Sequence, residues 1–221
     1  MPAATLPEAA DHELPYRRLA ETEPVLAGLI RTYGEPDPFL WADGGRTGTS
    51  HFAAMTLHII GQQISTTVAF TVYDRIAAAT GSVLDPRGVL ALGADRLRAC
   101  GLSRAKADYL LGLAQAQTDR AIDIEHLSGL DDTAATAALT AIRGIGLWSA
   151  QMFLVHQLRR PDVLPAGDIG IRRGIRLAWE LPETPSVEES RLKAIPWTPY
   201  RTYAAALLWR SLRPAEPLTA A

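Results

Sequence analysis

The chain has 221 residues and a formal net charge of −2; 48% of its residues are hydrophobic and 21% are charged. This balance is ordinary for a soluble globular protein and does not fit a globally basic nucleic-acid binder. The apolar runs are far shorter than the 18 or more residues that a membrane span needs. One cysteine, Cys100, excludes an intramolecular disulfide framework and an all-cysteine iron–sulfur site. We therefore expect a cytoplasmic protein that does not bind membranes.

The first predicted elements follow an acidic, proline-containing stretch, which we interpret as a flexible N-terminal tail over residues 1–15. Ser50 is a candidate N-cap for a helix over 50–60, and Ser65 is one for a helix over 65–80. The apolar residues expected to form the buried stripe of the second helix are Val68, Val72 and Ile76.

Helical spacing continues through the rest of the chain. Gly93 separates two short helical segments, and Pro161 ends a long one. The helices predicted after residue 80 cover 85–93, 93–101, 103–117, 131–142, 147–160, 169–180 and 201–212, with one short helix between prolines in 181–200. Because the period-2 alternation of a sheet does not extend over a useful length, the predicted fold class is all-α.

The stretch "AIRGIGLWSA" (141–150) interrupts two good helical patterns with Gly144 and Gly146. Each glycine costs about 1 kcal/mol against alanine inside a helix, so the stretch predicts a tight hairpin between two helices with Ile145 pointing inward. Gly146 would start the second helix, where free amides and the helix dipole attract an anion such as phosphate. The two glycines taken alone favour a plain helix C-cap followed by a turn.

Asp168 ends the loop "PDVLPAGD" and directly precedes a helical pattern. An aspartate at this place is commonly an N-cap. It can also serve as a functional carboxylate, because the helix amides favour the ionised form and fix its direction. The two interpretations are compatible.

The order of these features resembles the helix-hairpin-helix, Gly/Pro–Asp superfamily of DNA glycosylases. The hairpin, a helix of about fourteen residues and a Pro/Gly loop ending in Asp168 follow one another as in that superfamily. Two further segments resemble the superfamily and lie in the same order: "IIGQQIS" (59–65) and "LRACGLSRAKADYLLGLA" (97–114). A third, "WTPYRTYAAALLWR" (197–210), resembles the closing helix of its DNA-3-methyladenine glycosylase II branch.

The resemblance implies two helical lobes that flank a DNA-binding cleft. One lobe would be a helical barrel over 46–152 that ends in the helix-hairpin-helix, and the other would join 16–45 to 153–221. It also implies a monomer, associated with the nucleoid in a bacterium, whose partner is double-stranded DNA containing alkylated bases.

The implied activity is hydrolysis of the N-glycosidic bond of alkylated purines such as 3-methyladenine, after the base is flipped out of the duplex. Asp168 is the expected catalytic residue, either stabilising a sugar cation or activating water. The expected base pocket contains Trp148 and Trp209, whose aromatic rings would attract a cationic base, together with Met152. Lyase members carry a lysine where this chain has Trp148, so lyase activity and an amine nucleophile are not expected.

The resemblance also assigns DNA-binding residues. Gln63 is the expected wedge that fills the hole left by the flipped base, and Gln62 would support the backbone. The other expected DNA contacts are Gly144, Gly146, Arg143 and Arg172. Main-chain carbonyls of Thr140, Ile142 and Ile145 are expected to bind a monovalent cation, Na⁺ or K⁺, beside a DNA phosphate; no other cofactor is required.

Two other functions remain open on the sequence alone. A glycosylase for oxidised, deaminated or mismatched bases would share the same motifs. A non-catalytic helix-hairpin-helix protein would use the hairpin to dock on DNA, but it would have no need of a carboxylate at position 168.

Overall fold

The computed structural model describes residues 12–81 and 84–214, and all regular secondary structure in these ranges is helical, as predicted. The α-helices are α1 (Glu13–Thr22), α2 (Pro24–Tyr33), α3 (His51–Gly61), α4 (Thr66–Ala79), α5 (Pro86–Ala99), α6 (Arg104–Thr118), α7 (Asp132–Thr140), α8 (Leu147–His156), α9 (Ile169–Ala178), α10 (Val187–Lys193) and α11 (Arg201–Ser211). Two 3-10 helices cover Ile124–Gly129 and Ile195–Trp197. None of the helices in the described ranges is long and apolar enough to cross a membrane.

Side-chain caps explain where most helices begin. The Ser50 hydroxyl accepts a hydrogen bond from the Ala53 amide at 3.1 Å, and Ser65 caps α4 in the same way, so both predicted N-caps are confirmed. The predicted break at Gly93 is also confirmed, because this residue has φ +67° and divides α5 into two helical segments. The other side chains that accept an amide hydrogen bond at a helix start are Glu23, Asp85, Ser103, Asp131, Asp168 and Ser186.

The described chain divides into two compact units, and Phe39–Arg160 forms one of them. Helix α3 is its centre, since all residues from Phe52 to Ile60 are buried. This unit includes residues 39–45 and 153–160, which the sequence had assigned to the other lobe. Trp41 and Arg160 explain the wider boundaries: the Trp41 ring packs on His58, and the Arg160 guanidinium donates to the Leu130 carbonyl at 2.6 Å.

The second unit combines the described residues of Met1–Pro38 and Pro161–Ala221. Its most buried helix is α11, in which residues 202–208 are buried. Helix α9 approaches α11 closely, since a Cβ at Gly174 would lie 2.9 Å from the Leu208 carbonyl oxygen. The lack of a side chain at Gly174 therefore lets α9 pack directly against the α11 backbone.

Three predictions about individual elements need correction. The predicted tail over 1–15 is wrong for Glu13–Pro15, which belong to α1, where Pro15 is buried; residues 1–11 lie outside the described ranges. Val68 is 49% exposed, because the buried stripe of α4 consists of Ala69, Val72, Tyr73 and Ile76. The helix predicted over 147–160 ends at His156, and Arg159 adopts φ +52°.

Candidate active site

The two glycines form the predicted hairpin between α7 and α8. Gly144 has φ +92°, and a Cβ there would lie 2.1 Å from Cγ of Tyr109. Any other residue would be strained and would collide with the tyrosine. Ile145 is 3% exposed and its amide donates to the Ile142 carbonyl at 3.0 Å, so its predicted inward position is confirmed.

Gly146 has a different role from Gly144. It is the N-cap of α8 with φ −85° and ψ 171°, which any residue can adopt. A Cβ at this position has no described atom within 4 Å, so neither backbone conformation nor packing requires glycine. The residue is exposed and α8 has no side-chain cap. The absence of a side chain therefore leaves the first amides of α8 open to an anion.

The loop after α3 is tied to this hairpin. The Gln62 amide nitrogen donates to the Gly144 carbonyl at 2.9 Å, which confirms that Gln62 supports the backbone. Gln63 is exposed and adopts φ +58°, in the left-handed region. A hydrogen bond thus connects the loop that carries Gln63 to the hairpin. The role of Gln63 as a wedge stays a prediction.

Lys106 is a residue that the sequence analysis missed. Its ammonium donates to the Ile60 carbonyl at 2.7 Å and to the Gln62 carbonyl at 2.6 Å. Burial lowers the pKa of Lys106, although both carbonyls favour a charged donor. No local motif signals the contact, because 46 and 44 residues separate the lysine from its two acceptors.

The expected pocket residues of α8 lie one helical turn apart. Trp148 is 38% exposed and Met152 is half-buried, so neither is a fully packed core residue. One turn further, His156 packs against the Trp41 ring at 5.0 Å between centroids, and Trp41 also contacts His58 at 4.5 Å. The sequence gives no sign that these rings meet, because Trp41 lies in a loop remote in sequence from α8.

Asp168 begins α9 and is an N-cap, as predicted. Its Oδ1 accepts a hydrogen bond from the Ile171 amide at 3.1 Å and another from Trp209 Nε1 at 3.2 Å. The structure therefore brings together the expected catalytic carboxylate and one expected pocket aromatic. Two donors from different helices leave the carboxylate little freedom to rotate.

The loop before Asp168 is fastened to α11. Arg201 pairs with both oxygens of Asp162 at 2.7 and 2.8 Å. The Thr202 hydroxyl accepts from the Val163 amide at 2.9 Å, and the residue is completely buried. These contacts fix the start of the loop that ends in Asp168.

The expected basic contacts differ in their surroundings. Arg143 is exposed at the hairpin, with its guanidinium carbon 5.8 Å from the centre of the Tyr109 ring. Arg172 is half-buried and directs a guanidinium N–H toward the Pro185 carbonyl at 3.4 Å. Arg143 is thus better placed for an external anion, and both roles stay predictions.

The carbonyls expected to hold a cation lie around the hairpin. Thr140 is the last residue of α7, and a carbonyl at this position receives no hydrogen bond from an amide of its own helix. The Ile142 carbonyl accepts one hydrogen bond, from Ile145, and a second lone pair remains. Oxygen donors of this kind fit a monovalent cation. The Thr140 and Ile142 carbonyls are therefore of the type that such a cation needs, and the Na⁺ or K⁺ stays a prediction.

A glycine hairpin between helices and an aspartate-capped helix, in an all-helical fold, define a helix-hairpin-helix DNA repair protein. Residues 57–199 match the family described as HhH-GPD superfamily base excision DNA repair protein. The chain belongs to this superfamily.

Two relatives and one solved structure illustrate the similarity. The DNA-3-methyladenine glycosylase 1 of Schizosaccharomyces pombe is 32% identical over 165 residues, covering 72% of this chain and 71% of its own length. YfjP of Bacillus subtilis is 29% identical over 170 residues. The match covers 74% of this chain and 59% of the length of YfjP. A solved structure of the S. pombe 3-methyladenine DNA glycosylase Mag1, in complex with abasic DNA, superposes with a TM-score of 0.80 at 26% identity. The match covers 91% of this chain and 98% of that one.

Proposed function

We propose that the protein is a monofunctional DNA glycosylase that removes alkylated purines such as 3-methyladenine from double-stranded DNA. The observation that carries the proposal is the Asp168 carboxylate, held by the Ile171 amide and the Trp209 indole. The names of the relatives support the substrate class, and the Mag1 complex supports DNA as partner. A docking protein without catalysis needs Asp168 only as a helix cap, and the cap does not account for the second donor, the Trp209 indole, on the same oxygen.

The chemistry suits one carboxylate. Alkylation puts positive charge on the purine, so the base leaves readily with the electrons of the glycosidic bond. The sugar then carries oxocarbenium character, which a nearby carboxylate stabilises until water adds at C1′ and loses a proton. Asp168 would supply that negative charge. The product is an abasic site.

Aromatic side chains would bind the flipped base. Trp148 and Trp209 offer electron-rich faces, and a cation over such a face gains about 0.5–2 kcal/mol. Met152 adds a flexible, polarisable wall that adapts to different alkyl groups and stacks less well than an aromatic ring. We therefore expect discrimination by charge to be stronger than discrimination by shape.

The duplex would be held by backbone amides more than by basic side chains. Gly146 exposes the amides at the start of α8 to a phosphate, and Arg143 adds one positive charge beside them. The Thr140, Ile142 and Ile145 carbonyls would hold Na⁺ or K⁺, which supplies a further positive charge when bound. Gln63 would enter the duplex at the flipped base.

The expected absence of lyase activity depends on Trp148. An indole cannot form the Schiff base through which lyases cleave the DNA strand. Borohydride trapping on abasic duplex DNA tests this directly: we expect no covalent complex and an intact strand. A trapped complex would show that another amine acts as nucleophile.

The catalytic proposal is tested by release of 3-methyladenine from methylated duplex DNA. Asp168→Asn is the informative variant, because asparagine caps a helix as well as aspartate and so removes the charge without removing the cap. We expect at least about a hundred-fold slower release, in line with loss of a charge-stabilising group. Asp85→Asn is the matched control, since Asp85 caps α5 through the Gly88 amide at 2.7 Å.

Two outcomes would contradict the proposal. Undiminished release by Asp168→Asn would remove the carboxylate from the mechanism, and no release by the native chain would reject the substrate class. A panel of duplexes containing hypoxanthine, 8-oxoguanine, uracil or mismatches would then separate a glycosylase with another substrate from a non-catalytic binder.

A further inference from the structure

Lys106 makes an unusual pair of contacts with the end of α3. Its ammonium lies within hydrogen-bond distance of the carbonyls of Ile60 and Gln62, at 2.7 and 2.6 Å. Carbonyls at a helix C-terminus carry partial negative charge and have few partners within the helix. A lysine from α6 therefore fixes the backbone at the point where α3 ends and the loop begins.

Residue 62 is held a second time through its side chain. The Gln62 amide donates to the Gly144 carbonyl at 2.9 Å and lies 3.4 Å from the Ser149 hydroxyl. The loop is thus attached to α6 through its backbone and to the hairpin through a side chain. Helix α6 also supports the hairpin itself, because Tyr109 packs directly beneath Gly144.

The residue that follows these attachments is Gln63. It is exposed and adopts φ +58°, a conformation that costs a non-glycine residue roughly 1–2 kcal/mol. Such a conformation persists only where the surrounding contacts determine it. The contacts of Lys106 and Gln62 lie immediately before Gln63, and the Ile64 amide closes the turn around it by donating to the Gly61 carbonyl at 3.4 Å.

We propose that Lys106 is a positioning residue that holds Gln63 ready to enter the duplex. The inference rests on the proposed function, in which Gln63 is the wedge. Lys106 would touch neither the damaged base nor the sugar. Its effect would pass through Gln63 alone, which separates it from a residue that merely stabilises the fold.

A double-mutant cycle tests this dependence. Lys106→Met keeps the length of the side chain and removes the ammonium. We expect release of methylated purines from duplex DNA in single turnover to slow about ten-fold, the effect of losing a charged hydrogen bond. Release from single-stranded DNA should change less than about two-fold, and the same substitution in a Gln63→Ala background should also change duplex release less than about two-fold.

A binding measurement reports on the wedge without catalysis. The probe is a duplex with a tetrahydrofuran abasic analogue and 2-aminopurine beside it, whose fluorescence changes when the neighbouring stack is opened. We expect the change on binding native protein to be reduced by Lys106→Met and by Gln63→Ala to the same extent. Lys193→Met is the control, because Lys193 lies on the Trp179 ring in the other unit.

Three results would overturn the inference: equal loss on duplex and single strands, full additivity with Gln63→Ala, or an unchanged 2-aminopurine signal in Lys106→Met. Lys106→Gln, which keeps a neutral donor, replaces Lys106→Met if the latter does not fold. Failure of the proposed function is distinct, since native protein would then release no methylated purine while the binding measurement still reports on Lys106.

Discussion

Asp168 and Trp209 form a pair in which an indole N–H fixes a carboxylate, at 3.2 Å. Trp209→Phe keeps an aromatic face and removes only this donor. We expect release of 3-methyladenine to slow about ten-fold, because a hydrogen bond to a charged group contributes about 1.5–3 kcal/mol. Trp179→Phe is the matched control in the same unit, where Trp179 stacks on Trp197.

The Trp209 prediction has a clear contrary result. If Trp209→Phe releases base within two-fold of the native rate, the indole N–H does not orient Asp168 during the reaction. Trp209→Ala would then show whether the ring contributes through stacking alone.

Glu125 is a second residue whose contacts the sequence does not reveal. Its carboxylate accepts hydrogen bonds from the His51 and Phe52 amides, at 2.9 and 3.0 Å, at the positive end of α3. Glu125→Gln should lower the free energy of unfolding in urea by about 1–3 kcal/mol. Glu188→Gln is the control. Glu188 is exposed and pairs with Arg191 at 3.6 Å, and an exposed ion pair contributes about 0–1 kcal/mol. An equal, small effect for both would contradict a capping role.

At the scale of elements, local chemistry made most helices predictable. Ser50, Ser65 and Asp168 cap helices as their sequence positions indicate, and the glycine hairpin lies where two helical patterns stop. The end of α8 was not predictable in this way. The basic residues before Pro161 look helical, but Arg160 leaves the helix to bind the Ser128 and Leu130 carbonyls.

The candidate site was predictable only where a residue and its partner are close in sequence. The hairpin and the Asp168 cap are local, and both were found. Lys106, Glu125 and Trp41 act on partners that the fold brings to them, and no spacing rule records such contacts. The error at Val68 has a related cause: two apolar stripes fit the α4 sequence, and packing selects Ala69 over Val68.

The two hairpin glycines should respond differently to alanine. Gly144→Ala places a methyl group 2.1 Å from Tyr109 in a left-handed conformation, so we expect it to destabilise the fold by about 2–5 kcal/mol. Gly146→Ala meets no neighbour and should cost less than about 1 kcal/mol. Its methyl group would shield the amides of α8, so affinity for abasic duplex DNA should fall several-fold.

Urea unfolding and DNA titration of both variants measure the two effects separately. The opposite pattern, a destabilised Gly146→Ala that binds DNA normally, would show that Gly146 serves the fold. In that case the open helix terminus would have no role in binding phosphate.

At the scale of the whole molecule, buried His58 makes stability depend on pH. Burial, opposed by the hydrogen bond to Gln157, lowers the pKa of His58 to about 4, against about 6.5 in the unfolded chain. Between these values the unfolded state binds a proton that the folded state does not, so stability falls as pH falls. The expected loss from His58 between pH 7.5 and pH 5 is about 2 kcal/mol.

Urea unfolding at pH 7.5 and pH 5 measures this loss in the native chain and in His58→Gln. Glutamine does not titrate and can still donate to Gln157, so the difference between the two pH values should shrink by about 2 kcal/mol in the variant. The same difference in both proteins would mean that other groups cause the acid sensitivity.

The net charge of −2 bears on how the affinity for DNA changes with salt concentration. A chain with a negative net charge binds DNA through local contacts, and each neutralised phosphate contributes about −0.9 to the slope of log affinity against log salt. With the hairpin amides and Arg143 as the main contacts, the slope should be about −2, and Arg143→Gln should reduce its magnitude by about 1.

Arg191→Gln is the control, because Arg191 pairs with Glu188 on α10. Titration of abasic duplex DNA at several salt concentrations provides the measurement. A native slope near −6, or one unaffected by Arg143→Gln, would place the phosphate contacts outside the hairpin.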